Sequence, residues 1–170
     1  MKTPAVSFVA KSGTGKTTLL EKVISELKKR GYRLGVIKHD AHRFDIDYPG
    51  KDSHRLTQAG ADIMLISSQD KLAVIKQHAA EPSLNELIAT YFSDVDMILT
   101  EGFKECNLPK IEVHRREWNP ILLCRGEWHD PNLLAVASDE PLHLDVPVLD
   151  LNSPAQIADF VETLIIRQTA

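Results

Sequence analysis

The order of apolar runs and helix-like patterns predicts an α/β protein with a mostly parallel sheet flanked by helices. An apolar run at residues 5–9 precedes a helical pattern, and a second apolar run follows at 34–37. A strand–helix–strand unit of this kind favours parallel pairing of its two strands. Two further apolar runs, at 95–100 and 133–137, each end in polar residues. The chain has 170 residues, 43% of them hydrophobic, which predicts a single domain over residues 1–170 with one core.

The first predicted helix begins at Lys16. Apolar side chains recur at helical spacing from residue 19 to residue 27, and Gly31 follows the last turn. Ser83 and Glu86 form a capping-box pattern, which predicts the start of another helix. The remaining predicted elements are a short helix over 51–59, a hairpin of strands 63–66 and 72–75, a strand at 148–151, and a final helix opened by Ser153-Pro154.

Residues 104–130 have a different character from the rest of the chain. Residues 111–114 alternate between apolar and polar side chains, which is typical of an exposed strand. Asn119-Pro120 interrupts the pattern before a second apolar run at 121–124. We therefore expect a β-arm or edge hairpin that projects from the main sheet and offers a surface for a homodimer.

The segment from Ala10 to Thr18 reads Ala-Lys-Ser-Gly-Thr-Gly-Lys-Thr-Thr and lies between the first strand and the first helix. Glycines allow the backbone to curl closely around a ligand, and N–H groups at a helix start attract anions. The context predicts a phosphate loop in which Lys16 reaches the β- and γ-phosphates and Thr17 ligates Mg²⁺. Ala10 replaces the usual first glycine of this pattern. The predicted nucleotide-binding residues are Ser12, Gly13, Thr14, Gly15, Lys16, Thr17 and Thr18.

Acidic residues at strand ends are candidates for the rest of the site, because ligands of open parallel sheets bind beyond the carboxyl ends of the strands. Glu101 follows an apolar strand, and phosphate-loop proteins often place a carboxylate there to hold the metal's water shell or the attacking water. Lys16 and Glu101 are therefore the candidate catalytic residues, and Thr17 and Glu101 the candidate metal residues. A second acidic role is left open between Asp40, Asp47 and Asp52.

Asp139 follows the apolar run at 133–137 and is a candidate for recognising the base. An ionised carboxylate only accepts hydrogen bonds, and guanine offers N1–H and an amino group as adjacent donors. Adenine has an acceptor at N1. This chemistry favours GTP over ATP, although a Ser-Asp pair at a strand end is also a common turn.

Composition excludes several other classes. Basic residues exceed acidic ones in residues 1–60, whereas acidic residues dominate 61–170, which disfavours general nucleic-acid binding. There is no long apolar run or signal-peptide pattern, so we expect no membrane association and a cytoplasmic protein. The two cysteines, Cys106 and Cys124, fit a reducing compartment. His39, His42 and His54 lack the spacing of a metal site, and we interpret them as surface or phosphate-contacting residues.

Five sequence blocks follow one another along nearly the whole chain. They are residues 10–18, Lys38-His39 with His42, Asp47-Tyr48-Pro49-Gly50-Lys51-Asp52-Ser53, Glu101-Gly102-Phe103-Lys104, and Ala135-Val136-Ala137-Ser138-Asp139. In their sequence and in their order, these blocks resemble the molybdopterin-guanine dinucleotide biosynthesis adaptor family, MobB.

The resemblance implies a homodimeric phosphate-loop protein that binds GTP with Mg²⁺ and hydrolyses it weakly. It also implies a partnership with the guanylyltransferase that attaches GMP to molybdopterin, and a role for residues 104–130 in the dimer. Direct binding of molybdopterin or its guanine dinucleotide is left open.

Three alternatives use the same loop. A small-molecule kinase needs a basic lid, for which residues 104–130 supply Lys104, Lys110, Arg115, Arg116 and Arg125. A MinD-like dimeric ATPase has an extra lysine at the position of Lys11, although Ser12 stands where such loops carry glycine. The third alternative is a binding module whose nucleotide sets its conformation without turnover.

Overall fold

The structure, a computed structural model, describes residues 3–39 and 44–169. Two residues named above, Asp40 and His42, lie outside the described residues. The chain divides into two compact units, residues 1–39 with 88–170, and residues 40–87. No helix within the described ranges is long and apolar enough to cross a membrane.

The first unit is built on a six-stranded sheet in which all pairings are parallel. The strand order is β2-β5-β1-β6-β7-β8, which places β1 and β6 in the interior. The strands are β1 Ala5–Val9, β2 Leu34–Lys38, β5 Met97–Glu101, β6 Lys110–His114, β7 Leu133–Ser138 and β8 Val148–Asp150.

Helices α1 (Lys16–Lys29) and α4 (Pro154–Thr169) cover one face of this sheet. Their apolar residues share one core cluster with side chains from β1, β5, β6 and β7. The helical spacing of the α1 residues puts Leu19, Leu20, Val23 and Leu27 on the buried side, as the sequence predicted. This packing fixes the start of α1 next to the loop that follows β1.

The other face of the sheet is covered by irregular segments. Leu122, Leu123 and Cys124 pack with Val9 and Val136 in a second cluster. A single π-helical turn, Leu123–Glu127, lies in this cover. Its backbone bonds run from Glu127 N–H to the Leu122 carbonyl and from Trp128 N–H to the Leu123 carbonyl, both 3.0 Å.

The expectation of a projecting β-arm at residues 104–130 is wrong. Lys110–His114 is an interior strand with five buried residues, paired in parallel with both β1 and β7. Ile111 and Val113 face the helices, while Lys110, Glu112 and His114 are buried on the opposite side. The apolar–polar alternation is real, but its polar side is covered rather than exposed.

The two charged side chains of β6, Lys110 and Glu112, have partners in the covering segments. Lys110 Nζ lies 2.7 Å from Asp130 Oδ2, and Glu112 accepts backbone N–H bonds from Leu123 and Cys124 at 2.6 and 2.9 Å. These contacts satisfy the charges that the strand takes into the interior, which is the condition for burying them. The charged residues of β6 therefore attach the irregular cover to the sheet.

The second unit contains the predicted hairpin and short helix. Helix α2 spans Asp52–Gln58, and strands β3 (Ile63–Ser67) and β4 (Leu72–Lys76) form a separate antiparallel pair. Helix α3 (Leu84–Tyr91) begins at the capping box, where Ser83 N–H donates to Glu86 and Glu86 N–H donates to Ser83 Oγ.

Candidate phosphate-loop site

The phosphate loop connects the buried end of β1 to the first turn of α1. Gly13 and Gly15 have φ of 82° and 88°, in the left-handed region that a side chain would strain. Between them, Thr14 Oγ1 donates to the Lys11 carbonyl at 2.8 Å. The backbone therefore curls in the way that an anion cradle requires, with Lys16, Thr17 and the exposed Thr18 in the first helical turn.

The side chains of Lys16 and Thr17 both bind one carboxylate oxygen of Glu101. Lys16 Nζ lies 3.1 Å and Thr17 Oγ1 2.9 Å from Glu101 Oε1. The pairing of Phe8 with Glu101 in neighbouring parallel strands places this carboxylate beside the loop. The side chains of Lys16 and Glu101 are only 17% and 12% exposed. The predicted catalytic and metal-binding residues thus lie together.

Two opposing effects act on the Glu101 carboxyl. Burial raises its pKa, while the hydrogen bonds from Lys16 and Thr17 and the charge of Lys16 lower it, and the net pKa lies below the ordinary value. Glu101 is therefore ionised at neutral pH. A carboxylate next to a threonine hydroxyl and a lysine is a donor set that suits Mg²⁺ and phosphate.

The backbone after Glu101 is fixed by contacts with β1 and β2. Gly102 N–H donates to the Phe8 carbonyl at 3.2 Å, and Ser7 Oγ donates to the Gly102 carbonyl at 3.0 Å. The His39 ring packs against Phe103 with centroids 4.8 Å apart. These contacts hold the carboxyl end of β5 in place and give His39 a packing role.

The turn after β6 contributes Arg115, which the sequence analysis named only as part of a possible kinase lid, and Trp118, which it did not name. Arg115 Nε donates to the Thr14 carbonyl at 3.1 Å. The Trp118 ring lies 3.5 Å from the position that a Cβ on Gly13 would take. Arg115 therefore contacts the phosphate loop, and the Trp118 ring lies beside Gly13. Sheet order, rather than a local motif, brings both residues to the loop.

Asp139 lies at the end of β7, directly beside this turn. Its Oδ1 accepts the Arg116 backbone N–H at 3.3 Å, and its Oδ2 lies 3.6 Å from Arg115 Nη1. The neighbouring Glu140 pairs with the side chains of Arg116 and His114. Arg115 thus contacts both the phosphate loop and the residue predicted to recognise the base.

The other candidates have separate places. Asp47, Asp52 and His54 belong to the second unit, where Asp47 accepts the Tyr48 N–H and a hydrogen bond from Ser53 lowers the pKa of Asp47. Within the described residues, no group of three or more His, Cys, Asp or Glu side chains could hold a metal ion. Lys11 forms an ion pair with Glu127 of the π-helical turn.

The parallel sheet, the glycine loop before α1 and the Lys16–Glu101 contact define an α/β protein with a P-loop NTPase-like fold. Residues 5–139 match the family model described as MobB, molybdopterin guanine dinucleotide synthesis protein B. The chain belongs to this family.

Curated relatives and solved structures agree with this assignment. The chain is 42% identical to the Escherichia coli molybdopterin-guanine dinucleotide biosynthesis adapter protein, over 93% of this chain and 91% of that protein. A Haemophilus influenzae protein of the same name is 39% identical, over 94% and 88%. A crystal structure of molybdopterin-guanine biosynthesis protein B has a TM-score of 0.77 and 29% identity, covering 94% of this chain and 99% of that one. A Bacillus subtilis MobB structure has a TM-score of 0.75 and 26% identity, covering 95% and 97%.

Proposed function

We propose that this protein is an adapter in molybdopterin guanine dinucleotide biosynthesis that binds GTP with Mg²⁺ and hydrolyses it weakly. The observation that carries the proposal is the pair of hydrogen bonds from Lys16 and Thr17 to Glu101. They lie beside a loop whose glycines have left-handed backbone conformations. Family membership and the names of the relatives support the adapter role.

In this proposal the loop residues 12–18 hold the phosphates through their backbone N–H groups. The Lys16 ammonium adds a charge-assisted contact, which is stronger than a neutral hydrogen bond. Thr17 and Glu101 hold Mg²⁺ and its water shell, and the bound metal supplies charge neutralisation at the phosphates. The residues present therefore fit a metal-bound triphosphate.

Asp139 is the proposed base-recognition residue. A carboxylate offers about four lone-pair sites. The Arg116 backbone N–H occupies one site on Oδ1, and the Arg115 guanidinium lies 3.6 Å from Oδ2 as an ion-pair partner. Each oxygen therefore keeps an acceptor site for the N1–H and amino group of guanine.

Two macromolecular partners complete the proposal. One is the guanylyltransferase that the family resemblance implies, and the other is a second copy of this chain. Because residues 104–130 do not form an arm, we assign the homodimer contact to the β3–β4 hairpin instead. An isolated two-stranded sheet is marginally stable in water. This one exposes large apolar side chains on its strands, namely Ile63, Leu65, Ile66 and Leu72.

The dimer assignment is tested by the oligomeric state of the full chain. Ile66→Lys places a charge on the hairpin surface, whereas the control Ile166→Lys changes an even more exposed isoleucine near the end of α4. Sedimentation of a dimer that dissociates only in the hairpin variant supports the assignment. A monomeric wild type, or a variant dimer of unchanged stability, contradicts it.

The nucleotide site is tested by calorimetric titration of Lys16→Ala with GTP and ATP in the presence of Mg²⁺. We expect GTP affinity to fall by at least about 30-fold, because a charge-assisted phosphate contact is lost. Lys22→Ala, an exposed position on the same helix, is the matched control and should bind GTP like the wild type. Unchanged GTP affinity in Lys16→Ala would remove the loop from the proposal.

A further inference from the structure

We propose that Arg115 is a positioning residue that joins the phosphate loop to Asp139, and that selectivity for guanine depends on this connection. The inference rests on the proposed GTP function and names the residue that makes its base recognition specific. Arg115 touches the loop backbone and Asp139, so its effect on the base is exerted through Asp139.

The geometry assigns the connection to one side chain. Arg115 Nε lies 3.1 Å from the Thr14 carbonyl oxygen, and Arg115 Nη1 lies 3.6 Å from Asp139 Oδ2. The same guanidinium passes 3.5 Å from the position that a Cβ on Gly15 would occupy. The pairing of His114 with Ser138 in β6 and β7 places Arg115 and Asp139 next to each other at the same sheet edge.

The chemistry of the side chain suits this role. A guanidinium is a planar fork with five donors and no acceptor, so it can bind two acceptors at once in a fixed relative geometry. Lysine carries the same charge on a compact ammonium group at the end of a flexible side chain, without the planar fork. The side chains of Arg115 and Asp139 are 37% and 25% exposed, so both also reach the solvent side where a ligand would approach.

The connection fixes the direction of the Asp139 carboxylate. The Arg116 N–H donates to Oδ1, and the Arg115 guanidinium attracts Oδ2 as an ion-pair partner at 3.6 Å, so the carboxylate is held in a defined orientation. Guanine selectivity needs that alignment, because a site built to bond a particular donor discriminates strongly only when its acceptors are held in place. Without Arg115, the carboxylate keeps its charge but loses its alignment with the phosphate loop.

A simple charge effect predicts a different result from positioning. A positive charge near the loop strengthens the binding of every triphosphate to a similar extent, including inorganic tripolyphosphate. Positioning instead changes the ratio of affinities for GTP and ITP, because ITP differs from GTP only in lacking the amino group that Asp139 would bind. The ratio is therefore the readout that a charge or general structural role does not move.

The experiment measures dissociation constants for GTP, ITP and tripolyphosphate with Mg²⁺, using the full chain and the variants Arg115→Gln and Arg115→Lys. Arg33→Gln is the matched control, since its side chain is 63% exposed, pairs with Asp94 and precedes β2 at the opposite end of the parallel strands. Urea midpoints of all variants confirm that they are folded. Both Arg115 variants should lower the preference for GTP over ITP at least about fivefold. Arg115→Lys should keep tripolyphosphate affinity within about twofold, and the control should match the wild type.

The outcomes separate this inference from the proposed function. A wild type that prefers GTP to ITP, together with Arg115 variants that keep the preference, overturns the role of Arg115 alone. Equal losses for GTP, ITP and tripolyphosphate in both variants also overturn it. A wild type that binds neither GTP nor tripolyphosphate contradicts the proposed function, and this inference with it.

Discussion

Substitution of Glu101 by glutamine tests the arrangement at the centre of the phosphate-loop site. Glu101 Oε1 accepts hydrogen bonds from both Lys16 and Thr17, and its lowered pKa means that it carries a charge at neutral pH. Glutamine keeps the shape and one acceptor but removes that charge. The Lys16 ammonium, which is largely buried, then lacks its ionic partner.

The structure sets the magnitude of the loss. Two unit charges 3.1 Å apart attract by about 5 kcal/mol at an effective dielectric constant of about 20. Desolvation offsets much of this attraction, because both side chains are mostly removed from water. Hydrogen bonds to charged groups contribute about 1.5–3 kcal/mol net. We therefore expect Glu101→Gln to lower the free energy of unfolding of the nucleotide-free protein by about 1.5–3 kcal/mol.

Although Glu101→Gln should lower the stability of the protein, it should strengthen nucleotide binding in the absence of Mg²⁺. A triphosphate placed on Lys16 meets the Glu101 carboxylate as a like charge, and glutamine removes that repulsion. GTP affinity without Mg²⁺ should then rise roughly tenfold, while the gain from adding Mg²⁺ should shrink, because the carboxylate that holds the metal's water shell is gone.

Urea unfolding and calorimetric GTP titrations with and without Mg²⁺ measure both effects. Glu105→Gln removes an exposed carboxylate from the loop after β5 and is the matched control, with neither effect expected. Unchanged stability in Glu101→Gln, combined with weaker GTP binding without Mg²⁺, would refute the reasoning.

Two further predictions concern the interior of the first unit. Asp130→Asn leaves the buried Lys110 without its ionic partner and should lower the free energy of unfolding by about 3–5 kcal/mol. Asp145→Asn removes the exposed partner of an ion pair with Arg125, so the change should cost much less, and equal urea midpoints would contradict the argument. Burial raises the pKa of Asp130 and the hydrogen bond from Lys110 lowers it, and the net pKa lies below the ordinary value of an aspartate. Its contribution is thus complete above about pH 4 and lost as pH falls further, so the pH dependence of wild-type unfolding in this range should flatten in Asp130→Asn. A maleimide should label Cys106 in the folded protein and Cys124 only after unfolding, because burial raises the pKa of Cys124 to about 12. Rapid labelling of both thiols under native conditions would count against this burial.

The sequence predicts the regular elements of the first unit well, because they follow local rules. The apolar runs that became β1, β5 and β7 are each buried on both faces, as parallel strands are, and therefore read as nearly continuous apolar segments. The glycine loop and the helical spacing after Lys16 likewise depend on neighbouring residues in the chain. The proximity of Glu101 to Thr17 then follows from the parallel strand direction together with the pairing of β5 with β1.

The strand β6 shows where local rules fail. Alternation of apolar and polar side chains is the pattern of a strand with one solvated face. In this protein the polar face lies under residues 121–130, and Glu112 and Lys110 find their partners there. Nothing in the strand's own sequence reveals that cover, since the covering turn is neither a strand nor an ordinary helix.

The positions of Arg115 and Trp118 show a second limit of the sequence. Both residues follow β6 in a short turn, and they lie at the phosphate loop because β6 is the direct neighbour of β1. The kinase alternative named Arg115 as part of a basic lid over the phosphates, but no pattern predicted its bond to the loop backbone or the place of Trp118. Correct sheet order is needed to predict these two features.

The alternating pattern of β6 also restricts where residues can be inserted into this protein or deleted from it. Inserting or deleting one residue at the start of the strand would turn each following side chain to the opposite face of the sheet, since successive side chains point in opposite directions. Lys110, Glu112 and His114 would then face the helices, and Ile111 and Val113 would face Asp130 and the π-helical turn. Such an indel would misplace both surfaces in one event, so length differences should be tolerated in the flanking loops and not within the strand.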